Sequence, residues 1–389
     1  MICMKDIITI LHVFPEEKFF DPVSETYDRM EGVHNLYYLY TIDKDYTFRY
    51  VKHTEKIVLI HDEKEYVKLF SRNDIDIILF HSLKGRYFKY FNYIDRRKIV
   101  IWWSWGGDIY NTLFNDVSPL ISWENYKPLT KQYIKDHVQK NTNQEVLLKK
   151  WLRSFWHKYL IWRVVKRIDY FIPCIPIDYE MLKQHCRYFH AKLMPNFRNI
   201  RQISFVFHEQ PGNVLIGNSL TYTNNHLDVF EKVRTFSLTG ERKYIIPVSY
   251  GWGQAFGNNP DNLIALSSLN QDSVLWLKDY MDREDYFKIF NKVTHAILGV
   301  MRQQALGNIF YCLRTGVKVY LYKDSIVAKQ MRKEGYVFFT IEDDLTEASL
   351  SECLGKEQAM HNFMLEQKKY DGESFIAMNK MFHQICNKI

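Results

Sequence analysis

The chain has 389 residues, 47% of them hydrophobic and 25% charged, which is enough for two globular domains with sizeable cores. No stretch approaches the roughly 18 consecutive apolar residues of a membrane-spanning helix, and we expect the N-terminal stretch to form a first strand rather than a signal peptide. The net charge of +7 is mildly basic, and no RNA- or DNA-binding motif is visible, so nucleic acid is not an expected partner. The six cysteines are scattered without a CxxC pair, which predicts a reducing compartment and no structural zinc.

Apolar segments of strand length alternate with helix-length segments through the first half of the chain. Strands are predicted at 6–14, 36–42, 56–60, 75–80, 98–103 and 167–175. Helices are predicted at 63–71, at 147–165 and from about 178. This alternation predicts a parallel sheet with crossover helices, which is the α/β class.

The same alternation starts again after Pro195. Strands are predicted at 213–217, 243–248, 274–278, 294–300, 317–321 and 337–339, and the chain beyond them is predicted to be helical. We therefore place an N-terminal Rossmann-like domain at 1–196 and a C-terminal one at 197–370, with a terminal helix over 371–389 that can return to the N-terminal domain. Two such domains predict a cleft in which their strand ends face each other.

The loop between the predicted strand 294–300 and the short helix that follows it has the composition of an anion site. Its residues of interest are Arg302, Gln303, Gln304, Gly307 and Asn308. The first N–H groups of a helix are unpaired, and glycine lets an anion approach them closely. An ordinary βαβ unit with a polar loop would show the same pattern, so this interpretation is not specific on its own.

Three further strand ends carry residues of a catalytic type. His12 and His81 lie at the ends of their strands, and Asp108 follows a pair of glycines after the strand 98–103. Asp108 is either a helix N-cap or a catalytic carboxylate. The two histidines are either hydrogen-bonded core residues or catalytic groups.

The stretch 127–167 contains eleven basic residues and only two acidic ones, and tryptophans are interleaved with the basic residues of its predicted helix. A basic amphipathic helix with tryptophans is typical of contact with an anionic membrane surface. A solvated helix face is the alternative. The residues expected at a membrane contact are Lys149, Lys150, Trp151, Arg153, Trp156, Lys158 and Arg163.

Several sequence blocks resemble glycosyltransferase family 56, which is also known as the 4-α-L-fucosyltransferase family. The blocks are HVF at 12–14, FH at 80–81, WGGDIY at 105–110, GNSLTYTNNH at 217–226, PVSYG at 247–251 and RQQALGN at 302–308. The resemblance implies a GT-B architecture, in which two Rossmann-like domains face each other across a cleft. It implies a transferase that moves a deoxy-amino sugar such as 4-acetamido-4,6-dideoxygalactose (Fuc4NAc), or fucose, from a TDP-sugar to a lipid-linked or growing surface-polysaccharide acceptor.

The resemblance also implies roles for the candidate residues, with the nucleotide-sugar in the C-terminal domain and the acceptor in the N-terminal domain. The donor diphosphate would be bound by Gly217, Asn218, Ser219, Arg302, Gln303, Gln304, Gly307 and Asn308. Tyr250 and Gly251 would line the nucleobase or sugar pocket. If the reaction inverts the anomeric configuration, Asp108 is the first candidate for the base, followed by His81 and His12. A retaining reaction needs no such base.

No cofactor and no metal ion are implied, because protein donors neutralise the leaving diphosphate in such enzymes. The expected partners are a nucleotide-sugar, a polyprenyl-diphosphate-linked saccharide and an anionic membrane surface. The expected location is the cytoplasmic face of the bacterial inner membrane, to which the enzyme would bind peripherally. Two alternatives stay open: a GT-B transferase or epimerase that uses another nucleotide-sugar, and a non-catalytic protein that binds sugar nucleotides.

Overall fold

A computed structural model describes residues 7–15, 17, 19–48, 50–110, 125–137, 147–196, 204–251, 255–370 and 373–386. The chain divides into two compact units, each of which has its own parallel sheet. Unit 1 comprises Met1–Pro119, Val146–Ile200 and Tyr370–Ile389. Unit 2 comprises Leu120–Glu145 and Arg201–Lys369.

The unit 1 sheet has seven parallel strands in the order β3-β2-β1-β4-β5-β6-β7. The strands are β1 (Ile8–Val13), β2 (Val33–Tyr40), β3 (Ile57–Ile60), β4 (Ile77–His81), β5 (Ile99–Trp103), β6 (Tyr170–Ile172) and β7 (Lys192–Leu193). The order reverses between β1 and β4, so that the carboxyl ends of these two strands border the crevice where ligands of open α/β sheets bind.

The unit 2 sheet has six parallel strands in the order β10-β9-β8-β11-β12-β13. The strands are β8 (Asn213–Ile216), β9 (Tyr244–Pro247), β10 (Val274–Leu277), β11 (Val293–Leu298), β12 (Lys318–Leu321) and β13 (Phe339–Thr340). Here the order reverses between β8 and β11. The predicted α/β class, with two Rossmann-like units, is confirmed.

Helices connect the strands in both units. Over the described residues they are α1 (Phe20–Tyr27), α2 (Glu63–Leu69), α3 (Pro128–His137), α4 (Leu147–Arg167), α5 (Pro176–His185), α6 (His226–Val233), α7 (Pro260–Leu266), α8 (Arg283–Phe290), α9 (Leu306–Arg314), α10 (Ile326–Glu334), α11 (Lys356–Tyr370) and α12 (Glu373–Cys386). A 3₁₀ segment, Gly85–Asn92, follows β4. None of the helices in these ranges is both long and apolar enough to cross a bilayer.

The central strands are continuous apolar runs that are covered on both faces. β1, β4 and β11 are buried at every residue, as expected for parallel strands packed between helix layers. In unit 1 the terminal helix α12 completes the core. Its Met378, Phe382 and Ile385 side chains are each about 1% exposed and pack in the same cluster as β1.

Apart from a few residues at the boundaries, the structure differs from the sequence-based division in one segment. The segment 120–145 was predicted within the N-terminal domain, but the contacts of its described residues, 125–137, place it in unit 2. The cause is a side-chain junction between α3 and the start of α6: Asp228 accepts hydrogen bonds from the backbone N–H of Leu129 at 2.9 Å and of Thr130 at 3.0 Å. Contacts between residues so far apart in sequence leave no local signal.

Candidate functional site

The loops after β8 and β11 meet at the point where the strand order of unit 2 reverses. Gly217–Ser219 directly follow β8, and Arg302–Gln304 follow β11 after a short turn. Ligands of open α/β sheets bind at this position, outside the carboxyl ends of the strands. The structure thus brings together two segments for which the sequence predicts one anion site.

Gly217 allows the β8 loop to turn tightly over a buried histidine. Its φ is +68°, and a Cβ atom there would lie 2.5 Å from Cε1 of His226. Nε2 of His226 lies 3.0 Å from the backbone oxygen of Ser219. Burial lowers the pKa of His226 to about 4, so the imidazole is neutral near pH 7 and donates its Nε2–H to this carbonyl. The hydrogen bond from His226 therefore stabilises the turn after β8.

Gln304 joins the β8 and β11 loops through a polar network. Its Nε2 donates to Oδ1 of Asn218 at 3.2 Å and to Oγ1 of Thr221 at 3.1 Å. Its Oε1 accepts from Oγ1 of Thr223 at 2.5 Å. The amide of Gln304 is occupied by these contacts, so it fixes the loop geometry as a positioning residue. Such preorganisation is what makes polar donors effective against developing charge.

Arg302 supplies the positive charge of the β11 loop. Its side chain is half-buried, and Nη1 lies 3.3 Å from the backbone oxygen of Gln303. Burial raises the pKa of the Tyr126 phenol, and the positive charge of Arg302 opposes that rise. Gln303 is 5% exposed, and its Oε1 has no hydrogen-bond partner in the described part of the chain. A hydroxyl or N–H group of a ligand would satisfy this oxygen.

The first turn of α9 is open. Ala305 precedes it with a φ of +58°, and no side chain caps the helix. A Cβ atom on Gly307 would have no heavy atom within 4 Å. Asn308 is held by its Nδ2, which donates to the hydroxyl of Tyr286 at 2.9 Å. An uncapped helix N-terminus that follows an arginine has the features of a phosphate site.

Tyr250 and Gly251 flank the β8 loop. The backbone oxygen of Tyr250 accepts from the N–H of Leu220 at 2.6 Å, and the Tyr250 side chain is 43% exposed. Gly251 has a φ of +100°, and a Cβ atom there would lie 2.6 Å from Cγ2 of Thr221. Gly251 is therefore required for close packing against the loop, whereas the Tyr250 side chain is partly exposed to solvent.

Two asparagines of this site have roles that were not predicted. Nδ2 of Asn224 donates to the backbone oxygen of Ser219 at 2.7 Å. Asn225 has a φ of +50°, and its side chain donates to the oxygen of Gly299 at 2.6 Å and accepts from the N–H of Lys127 at 2.7 Å. The adjacent asparagines before a helix are a visible signal for a left-handed residue. Their partners, one of them 98 residues away, are not visible in the sequence.

In unit 1, His12 and His81 lie side by side at the ends of β1 and β4. Nδ1 of His12 is 2.9 Å from Nε2 of His81, and Nε2 of His12 is 3.0 Å from Oδ1 of Asn35. Nδ2 of Asn35 in turn donates to Asp28 at 3.4 Å. The amide oxygen of Asn35 must then accept from His12, which makes Nδ1 of His12 the acceptor of the His81 Nε2–H. In this tautomer Nδ1 of His81 carries a lone pair.

Both histidines are fully buried and neutral. Burial lowers the pKa of His12 to about 4 and that of His81 well below its ordinary value, and the neighbouring His12 lowers the latter further. The His81 ring stacks on Phe14 with centroids 4.2 Å apart. Nδ1 of His81 has no hydrogen-bond partner among the described residues. The pair is thus a hydrogen-bonded core element with one unused acceptor.

Asp108 acts as a clamp between strand ends. Its Oδ2 accepts from the N–H of Leu83 at 2.9 Å and from Nε1 of Trp102 at 2.6 Å, and its Oδ1 accepts from the N–H of Trp105 at 3.1 Å. The carboxyl group is fully buried, and burial raises its pKa while the Trp102 hydrogen bond opposes that rise. Asp108 is not the N-cap considered from the sequence, and in this arrangement both oxygens are engaged in holding the loops after β4 and β5.

The predicted membrane-contact residues lie on α4. The side chains of Lys149, Lys150, Trp151 and Arg153 lie outside the described residues. Trp156 is 61% exposed, and Lys158 and Arg163 are exposed as well. These three side chains are therefore available for contact with a partner.

Taken together, the unit 2 loops can bind a phosphate-bearing ligand. They combine one guanidinium, an open helix N-terminus and a glycine turn held by a polar network, at the position in the sheet where nucleotides bind. A guanidinium and helix N–H groups act on negative charge, so the arrangement suits binding and electrostatic stabilisation.

Comparison with solved structures shows which fold the two units form. A lipopolysaccharide outer core galactosyltransferase, WaaB, is 11% identical with a TM-score of 0.56, and the match covers 97% of this chain and 99% of that one. Sucrose-phosphate synthase from Thermosynechococcus elongatus is 9% identical with a TM-score of 0.67, over 97% and 99% of the two chains. Anabaena Alr3699/HepE, solved in complex with UDP and glucose, is 9% identical with a TM-score of 0.60, over 98% and 100%. These likenesses show the GT-B fold.

No protein with a curated description matches this chain in sequence. One family model matches residues 159–364, just over half of the chain, and its description is 4-alpha-L-fucosyltransferase, glycosyl transferase group 56. The matched range contains the β8 loop, the β11 loop and α9. The chain therefore belongs to the 4-alpha-L-fucosyltransferase family, glycosyl transferase group 56, and is a glycosyltransferase with the GT-B fold.

Proposed function

We propose that this glycosyltransferase moves a deoxy-amino sugar of the Fuc4NAc type, or fucose, from a TDP-sugar to a lipid-linked saccharide or a growing surface polysaccharide. The observation that carries the donor part is the meeting of the β8 and β11 loops at the switch point of unit 2. Arg302 and the first turn of α9 lie on one of these loops, and the Gly217 turn forms the other. The choice of TDP and of the sugar rests on the family resemblance.

Catalysis in this scheme is stabilisation of the leaving group. As the anomeric carbon separates from the nucleoside diphosphate, negative charge accumulates on the diphosphate oxygens. Arg302 and the N–H groups at the start of α9 would neutralise that charge, and Gln304 would hold the β8 loop in register with them. A charged hydrogen bond of this kind contributes about 1.5–3 kcal/mol.

We further propose that no metal ion takes part, since a guanidinium and a helix N-terminus already supply the positive potential. The expected result is full activity after treatment with EDTA. Loss of activity that added magnesium restores would contradict this part of the proposal.

If the reaction inverts configuration, His81 is a better candidate for the base than Asp108. Asp108 uses both oxygens within the protein. His81 retains a lone pair on Nδ1, oriented by the chain through His12 and Asn35 to Asp28. A base of this kind typically contributes about 10²–10⁴-fold to the rate. A retaining reaction would need none of these residues as a base.

The acceptor part of the proposal places a polyprenyl-diphosphate-linked saccharide at the surface of an anionic membrane, with the enzyme bound peripherally on the cytoplasmic face. The exposed side chains of Trp156, Lys158 and Arg163 support it, because aromatic and basic residues together favour the headgroup region of a bilayer.

A donor screen tests the proposal. The protein is incubated with TDP-, UDP- and GDP-sugars, with and without a lipid-linked acceptor, and the released nucleotide is measured. We expect release from a TDP-sugar that increases with the acceptor. Preference for a UDP- or GDP-sugar would overturn the donor assignment. Interconversion of the sugar without release would indicate an epimerase, and binding without turnover would indicate a non-catalytic protein.

A further inference from the structure

A cavity lies in unit 1 between the 3₁₀ segment after β4 and the C-terminal half of α4. Its volume is about 290 Å³. It is lined by Phe88, Phe91, Asn92, Ile94, Arg96, Leu160, Arg163, Val164 and Arg167. Three arginines thus line one cavity, and no carboxylate of the described residues lines it.

The three arginines are engaged to different degrees. Arg167 is structural, because it pairs with Asp169 at 2.7 Å and donates to the backbone oxygens of Asp95 and Lys98. Arg163 donates to Oδ1 of Asn92 at 2.6 Å and has no carboxylate partner in the described ranges. Arg96 is exposed and makes no hydrogen bond or ion pair with any described residue. Two uncompensated cations therefore remain at this cavity.

Most of the other lining residues of the cavity are apolar. Phe88, Phe91, Ile94 and Val164 are all less than 10% exposed. A ligand that fits here carries a negative group for the arginines and tolerates apolar contact beneath it. A phosphate attached to an organic group has this character, and guanidinium groups bind phosphate oxygens in pairs.

The cavity is distinct from the strand-end region of the same unit. The contacts of Arg167 with Asp95 and Lys98 place it beside the residues that precede β5. His12 and His81 lie at the opposite, carboxyl ends of the parallel strands. The cavity therefore lies away from the candidate base residues of the same unit.

The outer face of α4 continues from the cavity. Trp156, Tyr159, Arg163 and Lys166 recur at spacings of three or four residues and so lie on one side of the helix. The first two are 61% and 41% exposed, and Arg163 and Lys166 are exposed. Exposed aromatic rings beside basic groups are typical of the boundary between lipid headgroups and acyl chains.

We propose that this cavity binds the phosphate of an anionic glycerophospholipid, with Arg96 and Arg163 as its ligands and the Trp156 and Tyr159 rings in the adjoining interface. The inference rests on the proposed function, in which the acceptor is held at a membrane. It adds a defined headgroup site to the general attraction between a basic helix and a bilayer. Arg96 lies outside α4, so nothing in the helix pattern alone would identify it.

Vesicle cosedimentation tests the site. Wild-type protein is titrated with vesicles of phosphatidylcholine alone and of phosphatidylcholine containing about a third phosphatidylglycerol, a typical anionic mixture. The variant is Arg96→Ala/Arg163→Ala, and the matched control is Lys329→Ala/Lys333→Ala on α10, which removes the same charge from unit 2. We expect the arginine variant to lose about 30-fold in affinity for the anionic vesicles, since each basic group near such a surface contributes roughly fivefold. Equal affinity of the variant and the wild type would overturn the site.

A second variant separates a phosphate site from diffuse attraction. Arg96→Lys/Arg163→Lys keeps both charges but removes the planar pairs of donors. We expect it to bind anionic vesicles clearly less well than wild type, and binding equal to wild type would overturn the phosphate site. Titration of the wild type with glycerol 3-phosphate then distinguishes a lipid headgroup from a free phosphate as the ligand. If wild type binds this soluble phosphate strongly and the lysine variant does not, the cavity is a site for free anions, and the lipid assignment is overturned.

The donor proposal is tested separately on the wild type by titration with TDP. If all variants bind anionic vesicles as well as the wild type does, and the wild type binds TDP, only the headgroup site is overturned. Vesicle binding that depends on the arginines, without any TDP binding, would overturn the donor proposal and leave the headgroup site standing.

Discussion

At the scale of single residues, the glycines of unit 2 have two different functions. Gly217 is required because a side chain would collide with His226. Gly307 has open space around it and lies in the first turn of α9 without a positive φ. A glycine that costs helix stability without any steric need is explained if a ligand approaches the backbone there.

The substitution Gly307→Ala should therefore change stability and binding in opposite directions. We expect it to raise the free energy of unfolding by about 0.5–1 kcal/mol, because alanine favours the helix, and to weaken TDP binding, because the methyl group occupies the approach path. Thermal unfolding and calorimetric titration measure the two effects. Gly85→Ala is the control, since Gly85 also has no atom within 4 Å but lies in unit 1. Unchanged TDP affinity of the Gly307 variant would remove this helix turn from the site.

The buried His226 predicts a specific acid sensitivity. Its pKa is lowered from 6.5 to about 4 by burial, so between these values the unfolded chain binds a proton that the folded chain does not. The contribution of His226 to stability is complete above about pH 6.5 and is lost as the pH falls towards 4. Between about pH 6.5 and 5 the loss should be roughly 2 kcal/mol.

Urea unfolding of the wild type and of His226→Gln over this pH range checks the prediction. Glutamine can still donate to the Ser219 carbonyl but does not titrate. The variant should therefore lose less stability than the wild type as the pH falls. Parallel losses would mean that His226 is not the group responsible.

The role of the Asp108 side chain could not be predicted from the sequence. In the string WGGD at 105–108, two glycines precede an acidic residue, and the sequence leaves both a helix N-cap and a catalytic carboxylate open for Asp108. What decides its role is the position of Trp102 and the N–H groups of Leu83 and Trp105 around it. These positions follow from the packing of β4 against β5, which no local pattern contains.

At the scale of elements, the strands were predictable and their exact ends were not. Buried parallel strands are short apolar runs with clear boundaries, and every predicted strand has a counterpart in the structure. The segment 167–175 was the least accurate, because α4 continues to Arg167 and leaves only Tyr170–Ile172 for β6. The helix signal and the strand signal overlap there.

Asn225 links the residue before α3, Lys127, to Gly299 after β11. Asn225→Gly should destabilise unit 2 by roughly 2–3 kcal/mol, because the bonds to Gly299, Lys127 and Asn125 are lost. Asn225→Ala should cost about 1 kcal/mol more, because alanine resists the φ of +50°. Urea unfolding of the two variants measures the loss of stability from the hydrogen bonds and the additional loss from backbone strain. If they unfold at the same urea concentration, backbone strain contributes nothing at this position.

At the scale of the whole molecule, the chain order does not match the structural units. α12 is the last described helix, yet its apolar face completes the core of unit 1. A terminal helix with Met378, Phe382 and Ile385 on one face is visibly amphipathic, and a return to the N-terminal domain was one expectation from the sequence. Residues 120–145 likewise group with unit 2.

Removal of residues 371–389 should therefore weaken unit 1 selectively. Each of the three buried side chains of α12 contributes roughly 1.5–3 kcal/mol. The ring of Tyr27 in α1 also loses its contact with Phe382. We expect faster hydrogen exchange in β1 and α1 of the truncated protein and unchanged exchange in β8. Equal protection of β1 in the full and truncated chains would contradict the assignment of α12 to this core.

The central claim is that the β8 and β11 loops of unit 2 bind the diphosphate of the sugar donor. The most direct test is the kcat/KM for nucleotide release from a TDP-sugar in the Arg302→Ala variant, with Arg234→Ala, a surface arginine paired with Glu231, as the control. We predict a decrease of about 10- to 150-fold for Arg302→Ala, which corresponds to about 1.5–3 kcal/mol, and no change for the control. Wild-type kcat/KM in the Arg302→Ala variant would contradict the account.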